Sequence, residues 1–339
     1  MGHDLADTVS QTASHTVSHT VSHDRILPKK LVHKDGFDDV FLTSFASLGE
    51  RESVLGATLP RSHGFYCEFP VTDRAPDLAL LVEICRQACF VVAHNQFDVP
   101  LGGPDDAKFL MKAMSGEFVD TTPFQTDEPV NIAVACTIEE VSRRRGEVSG
   151  LVWAFTVRVG EVVVARARMA QTMMSRTVWG QLRGRLRTER GLPVKMAPVE
   201  PPRPSMLTAT EVGRLNPANV VLGEVFAVDG EYVAKMRVDL RHPVMFDHPA
   251  DYVFAMVQLE ASRQLALVAA SRALGVPATE LAMWSVDSEF VAVAEFDLAT
   301  RLRATVREAR TEQGLIVVDV ENTQQQRKVS ALRVAVRHG

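Results

Sequence analysis

The chain has 339 residues, 46% hydrophobic and 23% charged, with a formal net charge of −5. That leaves room for two domains of about 150 residues, each with enough apolar content for a core. The negative charge gives no electrostatic support to a nucleic-acid role, and neither an apolar run of about 18 residues nor a secretory leader pattern is visible, so no membrane span is expected.

Residues 1–27 are a low-complexity leader rich in Ser, His, Thr and Val, expected to be disordered. His15, His19 and His23 recur every fourth residue, but Thr, Val and Ser disfavour the helix that would gather them, so no metal is assigned. From residue 28 the pattern predicts short strands at 39–46 and 53–60, a loop at 61–77 and a helix over 78–96. Long strands follow at 107–119, 129–142 and 150–171, the last with alternation such as Leu151-Val-Trp153-Ala-Phe155. A basic segment follows, Arg176, Arg183, Arg185, Arg187 and Arg190, read either as a solvated helix or as a docking patch for an acidic carrier or a phosphate. Residues 193–206 form a proline-rich, semi-rigid linker. The same order then returns: strands at 219–226 and 231–239, a loop at 241–253, a helix over 255–273, and strands at 282–296, 299–309 and 314–336.

The return is a repeat of sequence as well as of order. Glu83-Ile-Cys-Arg-Gln87 matches Glu260-Ala-Ser-Arg-Gln264, and the match runs without a gap to Val99-Pro100 and Val276-Pro277, with 7 identities in 18 positions. The chain is therefore one module used twice, 28–192 and 207–339. In each, a helix apolar almost all round is followed by long antiparallel strands. The expected class is α+β, a tandem (double) hotdog: two antiparallel sheets, each wrapped round a long central helix, related by a pseudo-two-fold and joined edge to edge.

Glu83, Arg86 and Gln87 share one helical face, as do Glu260, Arg263 and Gln264. A carboxylate and a guanidinium leave water only if paired or used. Their structural reading is an intrahelical ion pair. Their functional reading is a cleft where Glu83 or Glu260 acts as general base, Arg263 and Arg86 hold an anion, Gln87 and Gln264 orient a carbonyl, and a helix N-terminus stabilises an oxyanion. His248, twelve residues before Glu260, suits proton transfer; Asp251, Tyr252 and His63 complete the candidate set. The four cysteines, Cys67, Cys85, Cys89 and Cys136, show no metal spacing and read as reduced thiols, so a cytoplasmic setting without a metal is expected.

The ordered set Leu31-Val-His-Lys34, Asp39-Val-Phe-Leu-Thr43, Glu83-x-x-Arg86-Gln87-Ala88, Phe246-Asp247-His248-Pro249-x-Asp251 and Glu260-Ala-Ser-Arg263-Gln264 resembles the A-factor biosynthesis (AfsA) family. The resemblance spans residues 28–337. It implies transfer of a β-ketoacyl group from acyl carrier protein to a hydroxyl of dihydroxyacetone phosphate, giving a butenolide or γ-butyrolactone signal precursor, without a cofactor. It carries Glu83, Glu260 and Arg263 over as functional residues. The chain departs from the family at Asp251-Tyr252-Val253-Phe254-Ala255-Met256, where the family usually reads Asp-His-Val-Pro-Gly-Met. Two alternatives stay open: a hotdog dehydratase or thioesterase on carrier thioesters, and an acyl-lactone binder without turnover. A homodimer is a further possibility.

Overall fold

The computed structural model describes residues 21–69, 75–103, 106–196, 207–308 and 314–338, with the linker positions 199, 202 and 205. His15, His19 and much of the 193–206 linker lie outside the described residues. Twelve strands are present among them: β1 (Leu42–Ser47), β2 (Glu52–Thr58), β3 (Ala107–Phe118), β4 (Asn131–Arg144), β5 (Glu147–Val159), β6 (Val162–Ser175), β7 (Leu222–Val228), β8 (Glu231–Met236), β9 (Leu281–Phe290), β10 (Arg301–Glu308), β11 (Leu315–Gln324) and β12 (Arg327–His338). Three α-helices accompany them, α1 (Leu78–Gln96), α2 (Arg176–Glu189) and α3 (Ala255–Leu274).

All twelve strands form one antiparallel sheet, ordered β1-β2-β4-β5-β6-β3-β9-β12-β11-β10-β8-β7. The order is a palindrome of the module: each half runs from its short hairpin at the rim to its first long strand at the centre. β3 and β9 meet there in the register Ala113↔Glu289 to Glu117↔Ser285, and Ser288 Oγ donates to the Met114 carbonyl at 2.6 Å. The expected edge-to-edge join is therefore a continuous hydrogen-bonded ladder.

The central helices need this cover. In α1 Leu80, Ile84, Ala88, Val91 and Val92 are fully buried, and in α3 so are Ala261, Leu265 and Ala269. Removing each large aliphatic side chain from water contributes about 1.5–3 kcal/mol. By length and composition α1 could cross a membrane, but 83% of that window is buried inside the protein.

Two of the expected long strands are each a hairpin. The stretch 150–171 turns at Gly160-Glu161, and 314–336 turns at Gln325-Gln326, both glutamines at positive φ. Two-residue turns of this hand match the twist of the flanking strands. A Gln-Gln turn carries no Gly, Asn or Asp signal, so apolar alternation on both sides hid it. Residues 21–27, inside the leader expected to be disordered, run beside β1: Thr43 Oγ1 donates to the Ser22 carbonyl at 2.7 Å and Leu27 N to the Leu42 carbonyl at 2.8 Å.

The basic segment forms α2, and its arginines are not mainly solvated. Arg183 and Arg187 are buried and converge on Glu295, at 2.5 and 2.7 Å. Arg187 also reaches Asp297 at 2.6 Å, and Arg176 pairs with Asp106 at 2.6 Å. The Arg183 and Arg187 pairs strap α2, the last element of the first module, onto the second. The period of the charges was helical, but the acidic partners of Arg183 and Arg187 at Glu295 and Asp297 lie more than a hundred residues away.

Candidate active site

The repeat builds two related clefts where each central helix faces the other module. The scaffold is the same in both. Gln87 donates to the Asp39 carbonyl at 2.7 Å and accepts from Phe41 N; Gln264 donates to the Asn219 carbonyl at 2.7 Å and accepts from Val221 N. His63 Nδ1 accepts from Phe65 N and Tyr66 N, with Nε2 3.1 Å from Asp39. His242 repeats this with Val244 N, Met245 N and Asn219. Gln87, Gln264 and His63, expected at substrate, are thus engaged in pinning backbone. Buried polar groups without such partners would be costly, which explains their place in both copies.

The ion pairs are also duplicated. Glu83 receives Arg86 bidentately at 2.6 and 2.8 Å, Gln87 at 3.1 Å and Lys34 at 3.4 Å. Glu260 receives Arg263 at 2.8 and 2.9 Å, Gln264 at 2.5 Å, and Arg214, the counterpart of Lys34, at 2.9 and 2.8 Å. Burial alone would raise both carboxyls, but the paired cations outweigh it and hold Glu83 and Glu260 at about 2. A carboxylate so stabilised is a poor general base. The geometry gives both glutamates a different task from the expected proton abstraction: they fix Arg86 and Arg263.

The clefts differ in what stands round this scaffold. At the first, a cavity of about 890 Å³ opens among Glu83, Arg86, Phe90, His248, Tyr252 and the start of α3. At the second, only about 80 Å³ remains beside Arg214, Arg263 and Asp77. There the Glu68 carboxylate fills the space, accepting from Asn219 Nδ2, Asn216 N and Leu215 N. Glu260 also borders the large cavity, but Arg263 belongs to the small one.

The helix N-termini follow the same division. Asp77 caps α1, its Oδ1 accepting from Ala79 N at 3.0 Å. Phe254 precedes α3 and supplies no side-chain cap. Ala255 and Met256 line the large cavity, and their backbone N–H groups have no hydrogen-bond acceptor among the described residues. Exposed donors at the positive end of a helix dipole suit an oxyanion.

Asp247 and His248 stand beside these donors. Asp247 Oδ1 lies 2.8 Å from His248 Nδ1, and Oδ2 accepts from Asp35 N at 3.2 Å and lies 4.0 Å from Lys34 Nζ. Burial opposes the Asp247 charge, but His248 and Lys34 hold its pKa below the ordinary carboxylate value. With Nδ1 donating to Asp247, a neutral His248 presents Nε2 as a base. The ring lies against Phe254, centroids 5.1 Å apart. Tyr252 packs on Phe254 and on Trp179 of α2, and its hydroxyl reaches the Phe109 carbonyl at 3.5 Å. Asp251 faces α2, accepting from Trp179 Nε1 at 3.0 Å and Arg183 Nε at 3.3 Å. Of the expected site residues, the structure gathers Glu83, Arg86, His248 and Tyr252 round the large cavity. Asp251 borders it and anchors α2.

Sequence reasoning gave Lys34, Asp247 and Arg214 no role. Lys34 and Asp247 stood in quoted motifs, and Lys34 and Arg214 occupy matched positions of the repeat, so comparing the copies for charge would have found them. Among the described residues no group of three His, Cys, Asp or Glu side chains is placed to hold a metal ion.

A single sheet of two pseudo-symmetric halves, each curled round a long helix with a cavity at their junction, defines a tandem hotdog protein. The model of the A-factor biosynthesis hotdog domain matches residues 15–175 and 196–337, and the chain belongs to that family. It is 31% identical to the 2-oxo-3-(phosphooxy)propyl 3-oxoalkanoate synthase of Streptomyces coelicolor, over 83% of this chain and 82% of the relative. It is 29% identical to the Streptomyces virginiae protein of the same name, over 80% and 84%. Among solved structures it is similar to the 12:0-ACP thioesterase from Umbellularia californica, with 14% identity and a TM-score of 0.49, over 87% of this chain and 100% of that one.

Proposed function

We propose that the protein transfers a 3-oxoacyl group from an acyl carrier thioester to the hydroxyl of dihydroxyacetone phosphate, forming the ester precursor of a butenolide or γ-butyrolactone signal. The relatives' activity, named for a phosphooxypropyl 3-oxoalkanoate product, supports this reading. The observation that carries it for this chain is the large cavity, where an uncapped helix N-terminus, an Asp–His pair and a fixed Arg lie together.

His248 Nε2 takes the acceptor's hydroxyl proton as its oxygen attacks the thioester carbon. The Ala255 and Met256 N–H groups receive the oxyanion. The C–S bond breaks, and His248 returns the proton to the departing thiolate, so charge and protons balance. Arg86 faces the phosphate: Glu83 occupies its Nε and Nη2, and Nη1 has no hydrogen-bond partner among the described residues. Lys30, Lys108 and Lys112 also line the cavity without an ion-pair partner among the described residues, which fits an acidic carrier. We place the reaction in the cytoplasm, where its four free thiols persist.

The dehydratase alternative needs a protonated acid opposite His248, and Glu83, held at about 2, is ionised. The test is mass spectrometry of protein with a 3-oxoacyl carrier thioester, with and without dihydroxyacetone phosphate. A phosphorylated ester or butenolide requiring both substrates supports the transferase. Thioester loss without the acceptor supports a hydrolase, and an untouched thioester in both mixtures overturns both.

A further inference from the structure

Residues 30–34 descend from the rim of the large cavity to its floor: Lys30 is exposed, His33 half-buried, and Lys34 buried against Glu83. His33 therefore stands midway down the wall. Its ring stacks on Phe90 at 4.2 Å and meets Phe109 edge-on at 5.2 Å. Its Nε2 lies 2.8 Å from Nε2 of His94, whose Nδ1 lies 2.7 Å from the Val99 carbonyl oxygen.

The chain of contacts sets the tautomers. A carbonyl only accepts, so neutral His94 carries its proton on Nδ1 and accepts at Nε2. His33 then donates from Nε2, and its Nδ1 keeps a bare lone pair. Burial lowers the pKa of each ring, and for His33 the facing His94 and Arg86 of α1 and His248 before α3 outweigh Asp106 before β3, leaving it at about 3. Such a ring is a poor proton acceptor, but it is a hydrogen-bond acceptor that does not titrate near neutral pH.

The pair belongs to one cleft only. The counterparts of His33, Phe90 and His94 are Gly213, Leu267 and Ser271. Gly213 has φ +69°, and a Cβ there would lie 2.7 Å from Leu267 Cδ1 and 3.1 Å from the Ala278 carbonyl oxygen, so a side chain would be strained. The scaffold residues recur at both clefts, whereas this pair occurs only where the cavity is open.

We infer that His33, held by His94, binds the pantetheine-type arm of the thioester donor, with Nδ1 accepting an amide N–H of the arm. The inference rests on the acyl-transfer reading above. Carrier thioesters reach a buried site through a narrow chain of methylenes and amides. The half-buried Phe109 offers apolar surface to the methylenes, Phe90 holds the His33 ring by stacking, and His33 offers the acceptor that an amide leaving water requires. A binding acceptor must stay unprotonated across the working range, which a weakly basic ring does.

The test pairs wild type, His33→Ala and His33→Asn with two 3-oxoacyl thioesters and dihydroxyacetone phosphate. One thioester is of N-acetylcysteamine, which carries an amide; the other is of an alkyl thiol of equal length without one. Wild type is expected to show a KM about tenfold lower for the amide thioester. His33→Ala should erase that difference by raising KM for the amide thioester alone, with kcat and the KM for the triose phosphate little changed. His33→Asn, whose amide oxygen can stand where Nδ1 does, should restore part of it. Equal losses on both thioesters, or an amide preference unchanged in His33→Ala, would overturn the inference alone. No turnover by wild type on either thioester would overturn the acyl-transfer reading and this inference together.

Discussion

Asp77 and Phe254 hold the same position in the two modules, the residue that precedes the central helix, and only Asp77 caps its helix with its side chain. This one difference leaves the α3 N-terminus with free donors facing about 890 Å³ of space, while the α1 N-terminus is capped at Ala79 N beside a cleft of about 80 Å³. The Tyr252–Ala255 departure from the family pattern falls on the open side. An aromatic residue there leaves the donors exposed, as a proline would, because neither has an oxygen to offer them.

Phe254→Asp should therefore cap the helix, with little net gain in stability, and damage the site. A new cap contributes about 1 kcal/mol, offset by lost packing on Phe246, His248 and Tyr252. A carboxylate where the oxyanion forms should lower kcat by about a hundredfold. Thermal unfolding and transfer rate, measured on one preparation, check both; undiminished kcat would remove α3 from the mechanism.

Asp247→Asn should keep the fold but lose the carboxylate that fixes the His248 tautomer: with its one oxygen held by Asp35 N, the new amide turns an N–H donor toward His248 Nδ1 and favours the wrong tautomer. The expected drop in kcat is about 10²–10⁴, the range of general base catalysis, with a smaller change in either KM. His248→Ala should fall by a similar amount, and the double variant no further, because the two act as a unit. Additive losses would mean that they act separately.

Glu83→Gln should destabilise by about 3–5 kcal/mol, since Arg86 and Lys34 stay buried with half their partner gone. The pH dependence has a definite sign. Glu83 and Glu260 are depressed to about 2 in the folded state, so their stabilisation is complete above the ordinary Glu range near 4.5 and is lost as pH falls toward 2. Acid unfolding followed by circular dichroism should be shallower over that window in Glu83→Gln than in wild type. Parallel curves would show the pair to be silent.

Arg86→Ala and Arg263→Ala separate the two clefts. The Arg86 change should raise the KM for dihydroxyacetone phosphate by about tenfold or more, the scale of one lost charge-assisted hydrogen bond. The Arg263 change leaves Glu260 with Arg214 and Gln264 and should lower the melting temperature, with that KM little altered in the surviving fold. The opposite pattern would move the acceptor site to the second cleft.

Much of the architecture was legible in the chain. The Glu-x-x-Arg-Gln repeat identified two modules, the apolar stripes of α1 and α3 placed both helices, and the ordered motifs indicated the family. Those signals are local: side chains three or four apart share a helical face whatever surrounds them. The use of each copy was not legible. Glu83 and Glu260 look alike in sequence, as do Arg86 and Arg263, and only packing makes one cleft open while Glu68 and Asp77 close the other. The Gln325-Gln326 turn, the buried partners of Arg183 and Arg187, and the His33–His94 contact were hidden for the same reason. Each depends on residues brought together from distant parts of the chain. The sequence alone determined the repeated scaffold, because periodicity and pairing within a helix are short-range properties. Tertiary structure decided which copy holds a cavity, because the space left between two modules is set by all the side chains that meet there.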